Sequence, residues 1–93
     1  MAARQAYWQG DLARAETLYA ALAKDAPGNP DVIGEYGNIL FAQKRFDAAG
    51  EAFLATGRLL AKNGQTKQIH PLIGVLQNIA PQKAATLRAL IGN

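Results

Sequence analysis

The groups best equipped for chemistry in this chain are two carboxylates and one imidazole. Asp47 and Glu51 stand four residues apart, the spacing that sets two side chains on one face of a helix. A carboxylate pair is a common device for general acid–base catalysis. The single histidine, His70, precedes Pro71 and is expected at or near a helix N-terminus. Every acidic residue lies at or before position 51, so His70 has no carboxylate nearby in sequence to orient it or to share a metal ion. A solvated helix face accounts for Asp47 and Glu51, and a structural or exposed role for His70. Gly34-Glu35-Tyr36-Gly37 puts two glycines on a helix with no strand before it, which makes no phosphate cradle. With no cysteine in the chain, thiol nucleophiles, disulfides and cysteine-ligated metals are excluded. No Ser/His/Asp spacing and no P-loop is present. The residues argue against an enzyme and ask for neither cofactor nor metal.

The elements that carry these side chains are helices. Leu12, Ala15, Leu18, Tyr19 and Leu22 follow the i, i+3, i+4, i+7 rule, as do Phe46, Ala49, Phe53 and Leu60. Ile69, Leu72, Ile73, Leu76 and Ile79 form a third stripe, and no segment alternates with period two over a useful length. Turn chemistry sets the boundaries. Gly10 suits a left-handed helix cap and Asp11 the next N-cap. Ala26-Pro27-Gly28-Asn29-Pro30 is a strong break, with Asn29 as cap and Pro30 at the first helical position. Gln43-Lys44-Arg45 is a turn without glycine, and Asn63-Gly64 ends a helix. The spacing therefore predicts six helical pieces: Ala2 to Gln9, Leu12 to Lys24, Pro30 to Gln43, Phe46 to Lys62, Lys67 to Ile79, and Pro81 to Ile91.

The first four pieces repeat. Gln9 aligns with Gln43, a shift of 34 (43 − 9). The same shift pairs Ala3 with Gly37, Tyr7 with Phe41, Leu12 with Phe46, Ala15 with Ala49, and Tyr19 with Phe53. Each copy runs small residue, large residue, turn, small residue, aromatic. Gly10-Asp11-Leu12, Ala15, Tyr19, Leu22 and Pro27 in the first copy, and Tyr36-Gly37, Leu40, Phe46, Ala49 and Phe53 in the second, resemble the tetratricopeptide repeat family. The resemblance covers about Met1 to Ala61. It implies an all-α fold of antiparallel helix-turn-helix repeats, stacked as a short right-handed α-solenoid. In such a stack, Gly37 against Ala49 and Ala3 against Ala15 would be the close crossings. Thr56 stands where a small apolar residue is usual, and Pro71 falls where the small residue of a first helix belongs. Residues 63–93 are accordingly expected as a divergent pair that caps the stack. Residues 1–29 are expected as a partial first repeat and residues 30–62 as the second, all within one domain.

The resemblance further implies a non-catalytic protein-interaction module, with first helices lining a concave groove. By that geometry Arg4, Tyr7 and Trp8 from the first copy, and Asp31, Gly34, Glu35, Asn38, Phe41 and Ala42 from the second, would face a peptide or partner helix. Tyr7 and Phe41 would stack one period apart as an aromatic wall. Some relatives clamp a C-terminal carboxylate with lysine, asparagine and arginine. Here Asn38 keeps one such place, Gly34 replaces a lysine, and Glu35 would repel that ligand.

Composition and charge bound the remaining classes. The chain of 93 residues is 49% hydrophobic, which excludes a disordered segment. No apolar run approaches the roughly 18 residues that span a bilayer, and Met1 to Gln9 lacks a signal-peptide core. That stretch reads as the second half of a helix, the pattern of a piece cut from a longer chain. Leu12, Leu18 and Tyr19 are then expected to be under-covered and open to self-association or to a neighbouring repeat. Residues 1–51 hold five bases and seven acids, whereas residues 52–93 hold five bases and no acid. That basic half is a weak signal for an anionic partner, and nucleic acid is not expected, since no aromatic is interleaved with the bases. The alanine-rich, cysteine-free repeat resembles bacterial members, and its composition suits cytoplasm and periplasm alike.

Overall fold

The computed structural model describes residues 11–92. Five α-helices follow in order: α1 Leu12–Asp25, α2 Pro30–Ala42, α3 Phe46–Lys62, α4 Ile69–Ile79 and α5 Pro81–Leu90, with a 3-10 turn at Thr66–Gln68 before α4. The fold is all-α, and no strand occurs among the described residues. The expected first helical piece, with Ala3 and its crossing on Ala15, lies outside the described residues.

Each boundary has a local cause. The Asp11 carboxylate accepts from the Arg14 amide at 3.1 Å and starts α1. The Asn29 side chain accepts from the Asp31 and Val32 amides at 3.0 and 3.4 Å, and Pro30 follows where a missing N–H costs nothing. α2 and α3 end alike. The Arg45 amide donates to the Leu40 carbonyl (2.9 Å) and the Gln65 amide to the Leu60 carbonyl (2.8 Å). Both are Schellman caps, which need a left-handed residue just past the helix. After α3 that residue is Gly64, with φ of 77°. After α2 it is Lys44, with φ of 62°. The turn that lacks glycine in sequence therefore forces a side chain into the left-handed region, at a cost of about 1–2 kcal/mol.

One helix begins later than its spacing predicts. The expected start at Lys67 gives way to a 3-10 turn, and the α-helix begins at Ile69. Pro71 is the reason. In an α-helix begun at Lys67 its ring would strike the Lys67 carbonyl. With the start at Ile69, Pro71 sits in the first turn, where its absent N–H had no partner to lose.

Packing centres on α3. Its buried residues include Ala49, Ala52, Phe53, Thr56, Gly57 and Leu60. α2 packs on one side, and α4 and α5 pack on the other. Glycine makes both approaches possible. A Cβ on Gly37 of α2 would lie 2.8 Å from the Phe53 ring and 3.3 Å from the Ala52 methyl. The atoms nearest that Cβ belong to Ala52 and Phe53, three and four residues along α3 from the expected Ala49. A Cβ on Gly57 of α3 would lie 2.5 Å from Cδ2 of Leu87 on α5, and Leu87 is fully buried.

A second, smaller cluster joins α1 to α2 through Ala15, Tyr19 and Ile39, flanked by Leu18, Leu22, Val32 and Tyr36. Here the structure corrects the expectation of an uncovered face at Tyr19 alone. Tyr19 is only 1% exposed, because its ring is enclosed by this cluster, and Leu12 and Leu18 are half-buried. Glu16 of α1 also pairs with Arg45 in the turn after α2, which ties one hairpin to the next. The pair is half in water, so its contribution is small.

Two sets of substitutions check this packing. Gly57→Ala is expected to destabilise the chain by about 1–3 kcal/mol through overpacking against Leu87. Gly74→Ala, on a helix face where a new Cβ meets nothing within 4 Å, is expected to stabilise it by about 0.5–1 kcal/mol. Urea denaturation midpoints that move in the same direction for both would contradict the close crossing. Lys44→Gly relieves the left-handed strain and is expected to raise stability by about 1 kcal/mol in the same assay.

Candidate functional site

The pairing of two helices over a third leaves a hollow. α2 forms one wall, and the 3-10 turn with the start of α4 forms the other; the floor is α3. The cavity is about 400 Å³ and is lined by Pro30, Asp31, Gly34, Glu35 and Asn38 from α2, Phe53, Thr56 and Leu60 from α3, and Gln68 and Leu72 opposite.

Helical periodicity explains the α2 wall. Asp31, Gly34, Glu35 and Asn38 are spaced three and four apart, so they form one stripe. The opposite stripe, through Ile33, Tyr36, Gly37 and Leu40, packs into the two cores. Gly34 keeps the wall open: a Cβ there would lie 3.5 Å from the Thr56 methyl, in ordinary contact with nothing behind it. Thr56 is 5% exposed, and its hydroxyl donates to the Ala52 carbonyl at 2.8 Å. With its hydroxyl turned back to its own helix, Thr56 presents a methyl to the cavity. That is how a polar residue fills a place where a small apolar one is usual. The hollow therefore has an apolar floor of Phe53, Leu60 and the Thr56 methyl, with a polar rim.

The charges of the rim have one sign. Asp31 and Glu35 line it, while no lysine, arginine or histidine does. Among the described residues, the ion pairs are Arg45 with Glu16 and Lys83 with Glu51 at 3.3 Å. Asp31 lies in the first turn of α2, where a negative charge also favours the helix dipole. Glu35, a full turn further on, gains little from that.

The tetratricopeptide repeat family's sequence model matches residues 6–72. The chain belongs to that family. The match takes in α1, α2 and α3 and stops one residue past Pro71, where the third hairpin departs from the pattern. Tetratricopeptide repeats in general are non-catalytic and mediate protein–protein interaction. No curated protein and no solved structure gives a match.

The groove residues expected from the sequence divide three ways. Asp31, Glu35 and Asn38 line the cavity together, with Gly34 between them. Phe41 stands one turn beyond and outside the lining. It is 42% exposed and meets Phe46 edge to face across the turn, with ring centroids 5.4 Å apart. Arg4, Tyr7 and Trp8 lie outside the described residues. Sequence reasoning overlooked the opposite wall, Gln68 and Leu72, although the repeat period carried the signal. Gln68 stands 34 (68 − 34) after Gly34, and Leu72 stands 34 (72 − 38) after Asn38. The register thus continues into the third hairpin even where Pro71 breaks the residue pattern.

The other candidates for chemistry sit apart from the hollow. Asp47 and Glu51 are exposed on α3, and Glu51 is taken up by Lys83. His70 is the second residue of α4 and is exposed. Of the bases after residue 51, Arg88 donates to Gln77, while Arg58, Lys62 and Lys67 are exposed. Among the described residues, no group of three metal-ligating side chains occurs and no helix is long and apolar enough to cross a membrane.

Gly34→Met is expected to close the hollow without harming the fold. Helix propensity favours the replacement by up to about 1 kcal/mol, and the added side chain enters open space beside Thr56. A thermal melt at or above the wild-type midpoint, with an unchanged far-ultraviolet spectrum, would agree. A lower midpoint would mean that Gly34 is needed for packing.

Proposed function

We propose that this tetratricopeptide repeat chain holds a peptide or a partner helix in the hollow between α2 and α4. The observation that carries the reading is the hollow itself: an open depression with an apolar floor and side chains able to hydrogen-bond at both rims. Asn38 and Gln68 face it from opposite walls, which suits the amides of an extended backbone or the polar flank of a helix. Glu35 and Asp31 supply charge, and Phe53, Leu60 and Leu72 receive an apolar side chain. Residues 1–29, 30–62 and 63–93 are then successive units, the last serving as partner wall and end cap. Phe41, one turn along the same stripe, extends the contact surface toward the turn after α2.

Self-association is the second reading. Its expected basis in the first repeat narrows to the half-buried Leu12 and Leu18, and Leu90 of α5, 46% exposed, adds an apolar contact at the other end of the chain. Sedimentation equilibrium of wild type and Leu90→Ser at millimolar concentration decides it: a strict monomer in both removes this reading.

A random dodecapeptide library displayed on phage, selected against the wild-type chain, tests the groove. Selected peptides are expected to shift the amides of Glu35, Asn38 and Gln68 and to bind Gly34→Met at least tenfold more weakly, as loss of a filled apolar site entails. Peptides that leave those amides unmoved and bind both forms equally would end the proposal.

A further inference from the structure

Resting on the groove reading, we infer that the segment this chain takes up is cationic and amphipathic: a stretch that sets lysine or arginine beside a large apolar side chain. Three features of the cavity lead there. First, its fixed charges are all negative, since Asp31 and Glu35 line it and no cation does. Second, these carboxylates share one wall. Their spacing of four residues brings their Cβ atoms to about 6 Å apart on α2, so one guanidinium or ammonium can reach both. Third, the charge sits above an apolar floor, where Thr56 shows its methyl and Phe53 and Leu60 lie beside it.

A bound anion would meet two carboxylates with no counter-charge among the lining residues, and like charges repel. A neutral apolar segment would fill the floor and leave both carboxylates without a partner. Only a segment carrying both features satisfies the whole lining. Its long basic side chain can lie with the methylene stem on the floor and the charged head at the rim. Arginine fits better than lysine, because its planar fork can serve Glu35 and Asn38 from one side chain.

Three acetylated and amidated dodecapeptides test this by titration into the isotope-labelled chain: one of arginine and leucine in equal numbers, one of glutamate and leucine, and one of arginine and serine. The arginine–leucine peptide is expected to move the amides of Glu35, Asn38, Gln68 and Leu72, and to weaken as salt rises from about 50 to 300 mM. Asp31→Asn with Glu35→Gln is expected to weaken it roughly three- to thirtyfold, the effect of losing two rim charge pairs. The glutamate–leucine peptide is expected not to bind, and the arginine–serine peptide to bind at least tenfold more weakly. Because Asp31 also supports the N-terminus of α2, Glu35→Gln alone serves as the second variant and should retain most of the loss. Equal binding of the glutamate–leucine peptide, or equal binding of the arginine–leucine peptide by both charge variants, overturns the cationic assignment. The groove reading survives that result if Gly34→Met abolishes the binding. Failure of every peptide to move the groove amides overturns the cationic assignment, and binding mapped elsewhere and indifferent to Gly34→Met overturns the groove as well.

Discussion

The fold rests on how closely neighbouring helices can approach α3. Gly37 lets α2 settle on the Phe53 ring, and Gly57 lets Leu87 of α5 seat against the α3 backbone. A side chain at either position would occupy space already taken by a buried neighbour. Interiors are packed to crystal-like density and yield little to an added methyl group. The two glycines are exempt from the usual argument that glycine weakens a helix, because the contact they permit outweighs the backbone freedom they lose. One helix thereby becomes the common partner of three others and gathers the larger of the two hydrophobic clusters.

The hollow is a consequence of that arrangement. α2 and α4 both pack on α3, and the 3-10 turn before α4 contributes Gln68 to the open space between them. Gly34 adds to that space by contributing no side chain beside Thr56. Such preformed concavity is what repeat stacks offer in place of a flexible loop.

The polar side chains of the described residues are committed in different ways, and the buried Tyr19 hydroxyl and Gln43 amide oxygen make no hydrogen bond among those residues. Thr56 satisfies its hydroxyl on the Ala52 carbonyl and becomes apolar to its surroundings. Asn29 and Asp11 spend their side chains on helix starts. Glu16 and Glu51 pair with bases on other elements. Asp31 and Glu35 are the carboxylates that line the cavity, and their sign gives the hollow its chemical character.

Much of this was legible in the residues alone. Apolar spacing and turn chemistry set α1, α2, α3 and α5 to within a residue, because caps and helical periodicity are local properties. The stripe of Asp31, Glu35 and Asn38 was equally legible, since three- and four-residue spacing fixes a common face. The start of α4 was missed because Pro71 acts through the carbonyl four residues before it, and the local pattern favoured a longer helix. Gly57 went unnoticed because nothing in its own surroundings distinguishes it; only Leu87, thirty residues later (87 − 57), gives it a role. The opposite wall of the hollow, Gln68 and Leu72, was within reach of the 34-residue period, but only the tertiary structure set it across from α2. The sequence by itself determined which residues share a face of each helix. Which faces meet, and what space is left between them, was decided by close contacts among residues far apart in the chain, where no local propensity can act.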